Sequence, residues 1–194
     1  MKRIGITGGI GAGKSFVLKI IEENCNCVIV HADDVANELK EPGQVCYEPI
    51  VELLSRDVLD DANRISHSIM AEMIFGDEEL LKSVNAIIHP AVKQYILDAA
   101  EQAELDGCDY FFVEAALLIE DHYDEILDEL WYVRAPREVR IERLMSTRGY
   151  SRDKALSIIA RQLSDEEYIK HTDRVIDNDC SEENLTEQIL ELIK

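Results

Sequence analysis

Residues 8–15 read Gly8-Gly9-Ile10-Gly11-Ala12-Gly13-Lys14-Ser15, a complete G-x-x-x-x-G-K-[ST] stretch. An apolar run, Ile4-Gly5-Ile6-Thr7, leads into it, and a helical pattern carrying Phe16, Val17, Ile20 and Ile21 follows. Strand, glycine loop and helix in that order is the context that gives the motif meaning. Glycines let successive backbone N–H groups turn towards one centre, and the positive end of the following helix points at the same place. Such a loop cradles phosphate. Lys14 is predicted to reach the β- and γ-phosphates of a nucleoside triphosphate, and Ser15 to ligate Mg²⁺. The predicted contact set runs Gly8, Gly9, Ile10, Gly11, Ala12, Gly13, Lys14, Ser15 and Phe16.

The rest of the chain fits an α/β fold. Val28-Ile29-Val30 reads as a short buried strand ending at His31-Ala32-Asp33-Asp34, followed by a helix over about 34–39 that stops at Glu41-Pro42-Gly43. Residues 44–55 read as helical and 56–65 as a polar loop. From 66 to 104 the pattern is helical throughout, so Pro90 predicts two helices or a kink meeting at His89-Pro90. Tyr110-Phe111-Phe112-Val113, Leu130-Trp131-Tyr132-Val133 and Arg174-Val175-Ile176-Asp177 are further strands, with helices over about 136–163 and 182–193. Strands alternating with helices predict a parallel sheet covered on both faces. The long helical stretch between the second and third strands reads as an inserted lobe.

The 194 residues carry a formal charge of −20, which argues against a nucleic-acid partner. No run reaches the roughly 18 apolar residues a membrane span needs, and Met1-Lys2-Arg3 runs straight into the first strand without a signal peptide. Cys25, Cys27, Cys46, Cys108 and Cys180 lack zinc-type pairing and read as reduced thiols of a cytoplasmic protein. The one basic stretch is 134–162. There Arg134, Arg137, Arg140, Arg143, Arg148, Arg152, Lys154 and Arg161 face only Glu138, Glu142 and Asp153, eight against three. Either it is a solvated helix with i,i+4 pairs, or an arginine-rich lid that clamps phosphates. The lid suits the glycine loop better.

In a parallel α/β sheet, ligands gather outside the carboxyl ends of the strands. Asp33 and Glu114 both stand at such ends. A carboxylate at Asp33 can accept a hydroxyl proton during phosphoryl transfer, whereas the plainer reading makes Asp33 or Asp34 the N-cap of the next helix. No glycine has an Asp three residues before it and no Asn precedes a Lys, so both guanine-nucleotide signatures are missing. A small-molecule or nucleotide kinase remains, with a nucleotide-binding regulatory module as the reading from outside enzymes.

Thr7 to Ser15 resembles the T-G-G-I-G-S-G-K-S opening of the dephospho-coenzyme A kinase family. His31-Ala32-Asp33 with Ala36 and Pro42-Gly43 is similar to that family's D-A-D-x-x-A…P-G stretch. Ile74-Phe75, Ile87-Ile88-His89-Pro90, Leu117-Leu118-Ile119-Glu120 and Val175-Ile176-Asp177-Asn178 resemble its later motifs, in order. His31, Ala116, Ile119 and His67 depart from the family residues, and Arg143 to Arg148 is one residue longer than the usual spacing. The resemblance implies ATP-dependent, Mg²⁺-assisted phosphorylation of the ribose 3′-hydroxyl of dephospho-coenzyme A. It implies a P-loop core at 1–42, 105–135 and 164–194 with strand order 2-3-1-4-5. An acceptor lobe would occupy 43–104 and a lid 136–163. By the same likeness Asp33 is the base and Lys14 the phosphate clamp. Arg140 and Arg143 meet phosphates, and His89, Pro90, Glu114 and Leu117 contact the acceptor.

Overall fold

The computed structural model describes residues 1–179 and 181–194, so Cys180 lies outside the described residues. Its first half runs β1 (Lys2–Thr7), α1 (Lys14–Asn24), β2 (Cys27–His31), α2 (Ala32–Glu38), α3 (Tyr47–Leu54), α4 (His67–Ile74) and α5 (Glu78–Leu105). The second half runs β3 (Tyr110–Glu114), β4 (Glu129–Arg134), α6 (Arg137–Arg148), α7 (Arg152–Ile159), α8 (Asp165–Lys170), β5 (Arg174–Asp177) and α9 (Glu182–Leu192). The strands form one five-stranded parallel sheet in the order β2-β3-β1-β4-β5. The chain divides into two compact units, one joining Met1–Val30 to Ala100–Lys194 and the other His31–Ala99.

In the first unit the register decides which side chains share a face. Ile4 lies opposite Phe112, Ile6 opposite Trp131 and Val133 opposite Ile176. With period-two alternation these residues line one side of the sheet. There they are buried with Val17, Leu18 and Ile21 of α1 and Leu185 and Ile189 of α9. Phe112 and Trp131 meet edge to face at 5.8 Å. On the other side, Tyr132 stacks on Tyr168 of α8, the ring centroids 4.5 Å apart. Helices therefore cover both faces. This packing puts the glycine loop at the carboxyl end of β1, in the middle of the sheet.

The sequence pattern leaves α8 unassigned, although Ser164-Asp165-Glu166-Glu167 carries a capping signature. The Ser164 hydroxyl accepts from the Glu167 N–H at 3.2 Å. A 3₁₀ turn at Tyr123–Glu125 was likewise not anticipated.

The second unit corrects two local expectations. β2 ends at His31, and α2 starts at Ala32 with His31 as N-cap and no side-chain cap bond. Asp33 and Asp34 thus occupy the first turn, where a carboxylate is stabilised by the positive helix end without capping it. Of the two outcomes expected at His89-Pro90, separate helices do not occur: α5 runs continuously through Pro90. A proline inside a helix forfeits one hydrogen bond and costs about 3 kcal/mol. Buried Val84, Val92 and Ile96 on either side hold the helix together across it. The interruption falls instead at Gly76, whose φ of 81° ends α4, and the Asp77 side chain then accepts from the Leu80 N–H at 3.0 Å to start α5. Between α3 and α4, a 3₁₀ turn (Arg56–Val58) and a bridge between Leu59 and Ile65 order the segment read as loop. Among the described residues no helix is long and apolar enough to cross a membrane.

Candidate active site

The loop at 8–15 leaves β1 through Gly8, whose φ is 149°. A Cβ there would lie 2.5 Å from the Val133 carbonyl oxygen on β4, which the sheet holds in place. Only glycine fits. The loop ends at Gly13, the N-cap of α1, which offers no side-chain cap bond, and the first turn of α1 contains no acidic residue. The first N–H groups of an α-helix have no intrahelical acceptor, so this end is suited to an anion.

The loop's carbonyls are tied down from behind. Arg143 donates through Nη1 to the carbonyls of Gly11 (3.3 Å) and Ala12 (3.1 Å), and through Nη2 to the main-chain oxygen of Asn178 (3.0 Å). The Asn178 side chain, itself buried, donates to the same Ala12 carbonyl at 2.8 Å. Arg140 donates through Nε to the Ile10 carbonyl at 2.9 Å and through Nη2 to Gln162 Oε1 at 2.6 Å. Gln162 Oε1 also accepts from the Ile10 N–H at 3.0 Å. Fixing the carbonyls on the outside of the curve leaves the N–H groups of the inside to face a ligand.

Arg140 is 5% exposed. Burial lowers its pKa below the ordinary guanidinium value, while Tyr132, Tyr168 and Asp165 pull it back up. Asp165 accepts from the Tyr132 hydroxyl at 2.7 Å, and the Tyr132 pKa is raised by burial and by that carboxylate. Arg140 thus sits buried beside the loop, with the Ile10 carbonyl and Gln162 Oε1 as its acceptors.

Lys14 turns back over the loop. Its Nζ donates to the Gly8 carbonyl at 3.0 Å and pairs with Glu114 Oε1 at 3.2 Å, both side chains being mostly shielded from water. Glu114 stands at the end of β3, and Ser15 is exposed in the first turn of α1. Among the described residues no group of three or more His, Cys, Asp or Glu side chains could hold a metal ion by itself. Hard oxygen donors are nevertheless present in the Ser15 hydroxyl and the Glu114 carboxylate. Leu117, beyond the end of β3, is 51% exposed.

The first unit therefore brings together Gly8 to Phe16, Arg140, Arg143 and Glu114. It adds two residues that sequence reading did not select as site residues, Gln162 and Asn178. Asn178 was visible only inside the Val175-Ile176-Asp177-Asn178 resemblance, and for Gln162 the only nearby signal is the Ser164 capping pattern.

Asp33, His89 and Pro90 belong to the second unit. Asp33 is exposed in the first turn of α2, and His89 and Pro90 lie in the middle of α5. Just beyond α2, Lys40 is 7% exposed, an unanticipated buried amine. Burial lowers its pKa, and nearby Cys46 and Asp33 offset part of that shift.

Comparison with known proteins shows the family to which the chain is similar. A family model described as dephospho-CoA kinase matches residues 2–184. The dephospho-CoA kinase of Carboxydothermus hydrogenoformans is 35% identical over 191 residues, covering 98% of this chain and 92% of the relative. A Thermus thermophilus protein of known crystal structure superposes with a TM-score of 0.86 at 27% identity, covering 99% of this chain and 95% of its own. Dephospho-CoA kinase from Campylobacter jejuni superposes with a TM-score of 0.73 at 25% identity, covering 100% of this chain and 96% of its own.

Proposed function

This chain belongs to the dephospho-CoA kinase family, and on that premise we infer how its residues divide the work of the reaction. That reaction moves the γ-phosphoryl group of ATP to the ribose 3′-hydroxyl of dephospho-coenzyme A, the last step of coenzyme A synthesis. The 3′-oxygen attacks the γ-phosphorus, the bond to the β,γ-bridging oxygen breaks, and ADP leaves. The proton of the attacking hydroxyl goes to the Asp33 carboxylate.

On the donor side, Gly8 to Phe16 receive the phosphates of ATP. The uncapped N-terminus of α1, free of acidic residues in its first turn, is the observation that carries this reading. Phosphate oxygens satisfy the open N–H groups, and Lys14 exchanges its Glu114 partner for the β- and γ-phosphates. Arg143 and Arg140 act on the phosphates through the loop they brace. The donor set fits Mg²⁺, which binds through one or two protein oxygens together with substrate phosphates. Ser15 and Glu114 would hold it, and it would supply neutralisation of charge on the transferring group.

On the acceptor side, Asp33 is the base, and His89, Pro90, Glu114 and Leu117 contact dephospho-coenzyme A. The stretch 43–104 serves as acceptor lobe and 136–163 as lid over a core of the remaining segments. The free thiols of Cys25, Cys27, Cys46 and Cys108 support a reducing, cytoplasmic setting.

The test is product analysis. The protein is incubated with ATP and Mg²⁺ together with dephospho-coenzyme A, a nucleoside, or no acceptor, and ADP and phosphorylated acceptor are measured by mass spectrometry. One coenzyme A per ADP is expected with the first and near-background turnover otherwise. Turnover with the nucleoside and none with dephospho-coenzyme A would sink the assignment.

A further inference from the structure

We propose that Gln162 is a positioning residue for phosphoryl transfer: its side-chain oxygen locks the Ile10 peptide of the phosphate loop to the buried Arg140 and so presets the loop's curvature. The proposal rests on the reading of 8–15 as the triphosphate site.

Three hydrogen bonds close a ring around Ile10. Its N–H donates to Gln162 Oε1 at 3.0 Å, its carbonyl accepts from Arg140 Nε at 2.9 Å, and Arg140 Nη2 donates to the same Gln162 oxygen at 2.6 Å. Both neighbours of that oxygen are donors, so chemistry alone requires the amide to present its oxygen and not its NH₂. A rotation of the loop at Ile10 would break two of the three bonds at once. It would also take from the Nε of the buried Arg140 its Ile10 acceptor.

The packing leaves no slack for such a rotation. A Cβ on Gly9 would run into the Arg140 guanidinium and lie 2.8 Å from Gln162 Oε1. The loop backbone is pressed against the clamp, and the absent side chain at Gly9 is what permits the contact.

The residues just beyond Gln162 are tied to the sheet. Two residues on, Ser164 caps α8. The Asp165 carboxylate takes the Tyr132 hydroxyl of β4 at 2.7 Å, and Tyr168 stacks on the Tyr132 ring. The clamp therefore refers the loop to the sheet through α8. Arg140 lies in α6 and Gln162 just beyond α7, so both ends of the intervening arginine-rich segment are fastened to one loop peptide.

The Ile10 N–H is already satisfied by Gln162, so its part is orientation and not direct phosphate contact. Displacing a phosphate cradle by about 1 Å is enough to cost on the order of 100-fold in rate. The effect must fall on ATP and on the chemical step, not on the acceptor.

The test compares Gln162→Leu, which keeps the shape and removes the acceptor, with Gln162→Glu, which keeps an oxygen for both donors. Steady-state kinetics are run with each substrate varied in turn. Gln162→Leu is expected to raise KM for ATP at least about fivefold and lower kcat about 10- to 100-fold, leaving KM for dephospho-coenzyme A unchanged. Gln162→Glu is expected to stay within about fivefold of wild type in both parameters. If leucine at 162 does not fold, Gln162→Met replaces it in the same comparison. A purely structural role would lower melting temperature and active fraction without moving KM for ATP. That result, or equal losses in the Leu and Glu variants, overturns the proposal while wild-type ATP binding stands. Wild-type protein that fails to bind ATP overturns the triphosphate reading and the proposal with it.

Discussion

Replacing Asn178 with alanine removes the 2.8 Å hydrogen bond to the Ala12 carbonyl from a residue that is 5% exposed. A buried hydrogen bond of this kind is worth about 1 kcal/mol, and more if its partner is orphaned. The partner is not orphaned here, because Arg143 Nη1 still reaches the Ala12 carbonyl at 3.1 Å. Lost packing of the amide adds about 1 kcal/mol, so the expected destabilisation is about 2 kcal/mol. For a chain of this size that corresponds to a fall in Tm of about 4–8 °C. Arg143→Ala removes the other support and should cost about 3 kcal/mol through its charge-assisted bonds. The two residues share one carbonyl, so the double variant orphans it and should be worse than additive by about 1 kcal/mol or more. Urea unfolding of the four proteins, with ATP binding by calorimetry alongside, reads both effects. Additivity within about 0.3 kcal/mol, or single variants with wild-type ATP affinity, would refute the claim that these side chains shape the loop.

Two further outcomes follow from the charges. Lys14→Met should weaken ATP binding about 10- to 100-fold and also destabilise the fold, because it removes the cation paired at 3.2 Å with the mostly shielded Glu114 carboxylate. Adding Glu114→Gln should restore Tm but not ATP affinity, and recovery of affinity in the double variant would contradict the role given to Lys14. Alkaline pH should destabilise the protein. Burial, with help from neighbouring Cys25, pushes the Cys27 thiol up to about 12, and burial also raises Cys25, Cys46, Tyr132 and Tyr168. Below an ordinary thiol pKa of about 8.5 both states are protonated and the contribution is intact. Above it the unfolded chain ionises while the native thiol does not, so stability is lost as pH rises towards 12. Urea midpoints measured under reducing conditions from about pH 7.5 to 10 should fall, and fall less steeply in Cys27→Ser. A flat profile, or one identical in the variant, would show the shift to be unimportant.

The sheet and the loop were legible because their signals are local. Ile4, Ile6, Phe112 and Trp131 stand in short apolar runs, and the glycine motif with its flanking strand and helix declares itself. The bracing of that loop was not legible. Asn178 meets Ala12 across 166 residues and Gln162 meets Ile10 across 152, and no periodicity encodes such partners. The basic stretch at 134–162 pointed to arginines with work to do, yet only folding reveals that Arg140 and Arg143 donate to loop carbonyls. The position of Glu114 at a strand end is legible in the sequence, but its pairing with Lys14 depends on β3 lying beside β1. Propensity misled at Pro90, where packing of a long helix outweighs one missing hydrogen bond. It misled again at Asp33, where His31 takes the cap and moves the helix start by two residues. Lys40 gave no sign of burial, since a lone lysine beside Pro42-Gly43 reads as solvated.

The central proposal is that Asp33 takes the proton of the acceptor hydroxyl while the glycine loop independently holds ATP. Asp33→Asn tests it most directly, because the amide matches the carboxylate in size and cannot accept that proton. With ATP binding and turnover of dephospho-coenzyme A measured on the same preparation, kcat should fall by about three orders of magnitude or more while the Kd for ATP stays within about twofold of wild type. A kcat within about tenfold of wild type, or ATP affinity lost in step with turnover, would contradict it.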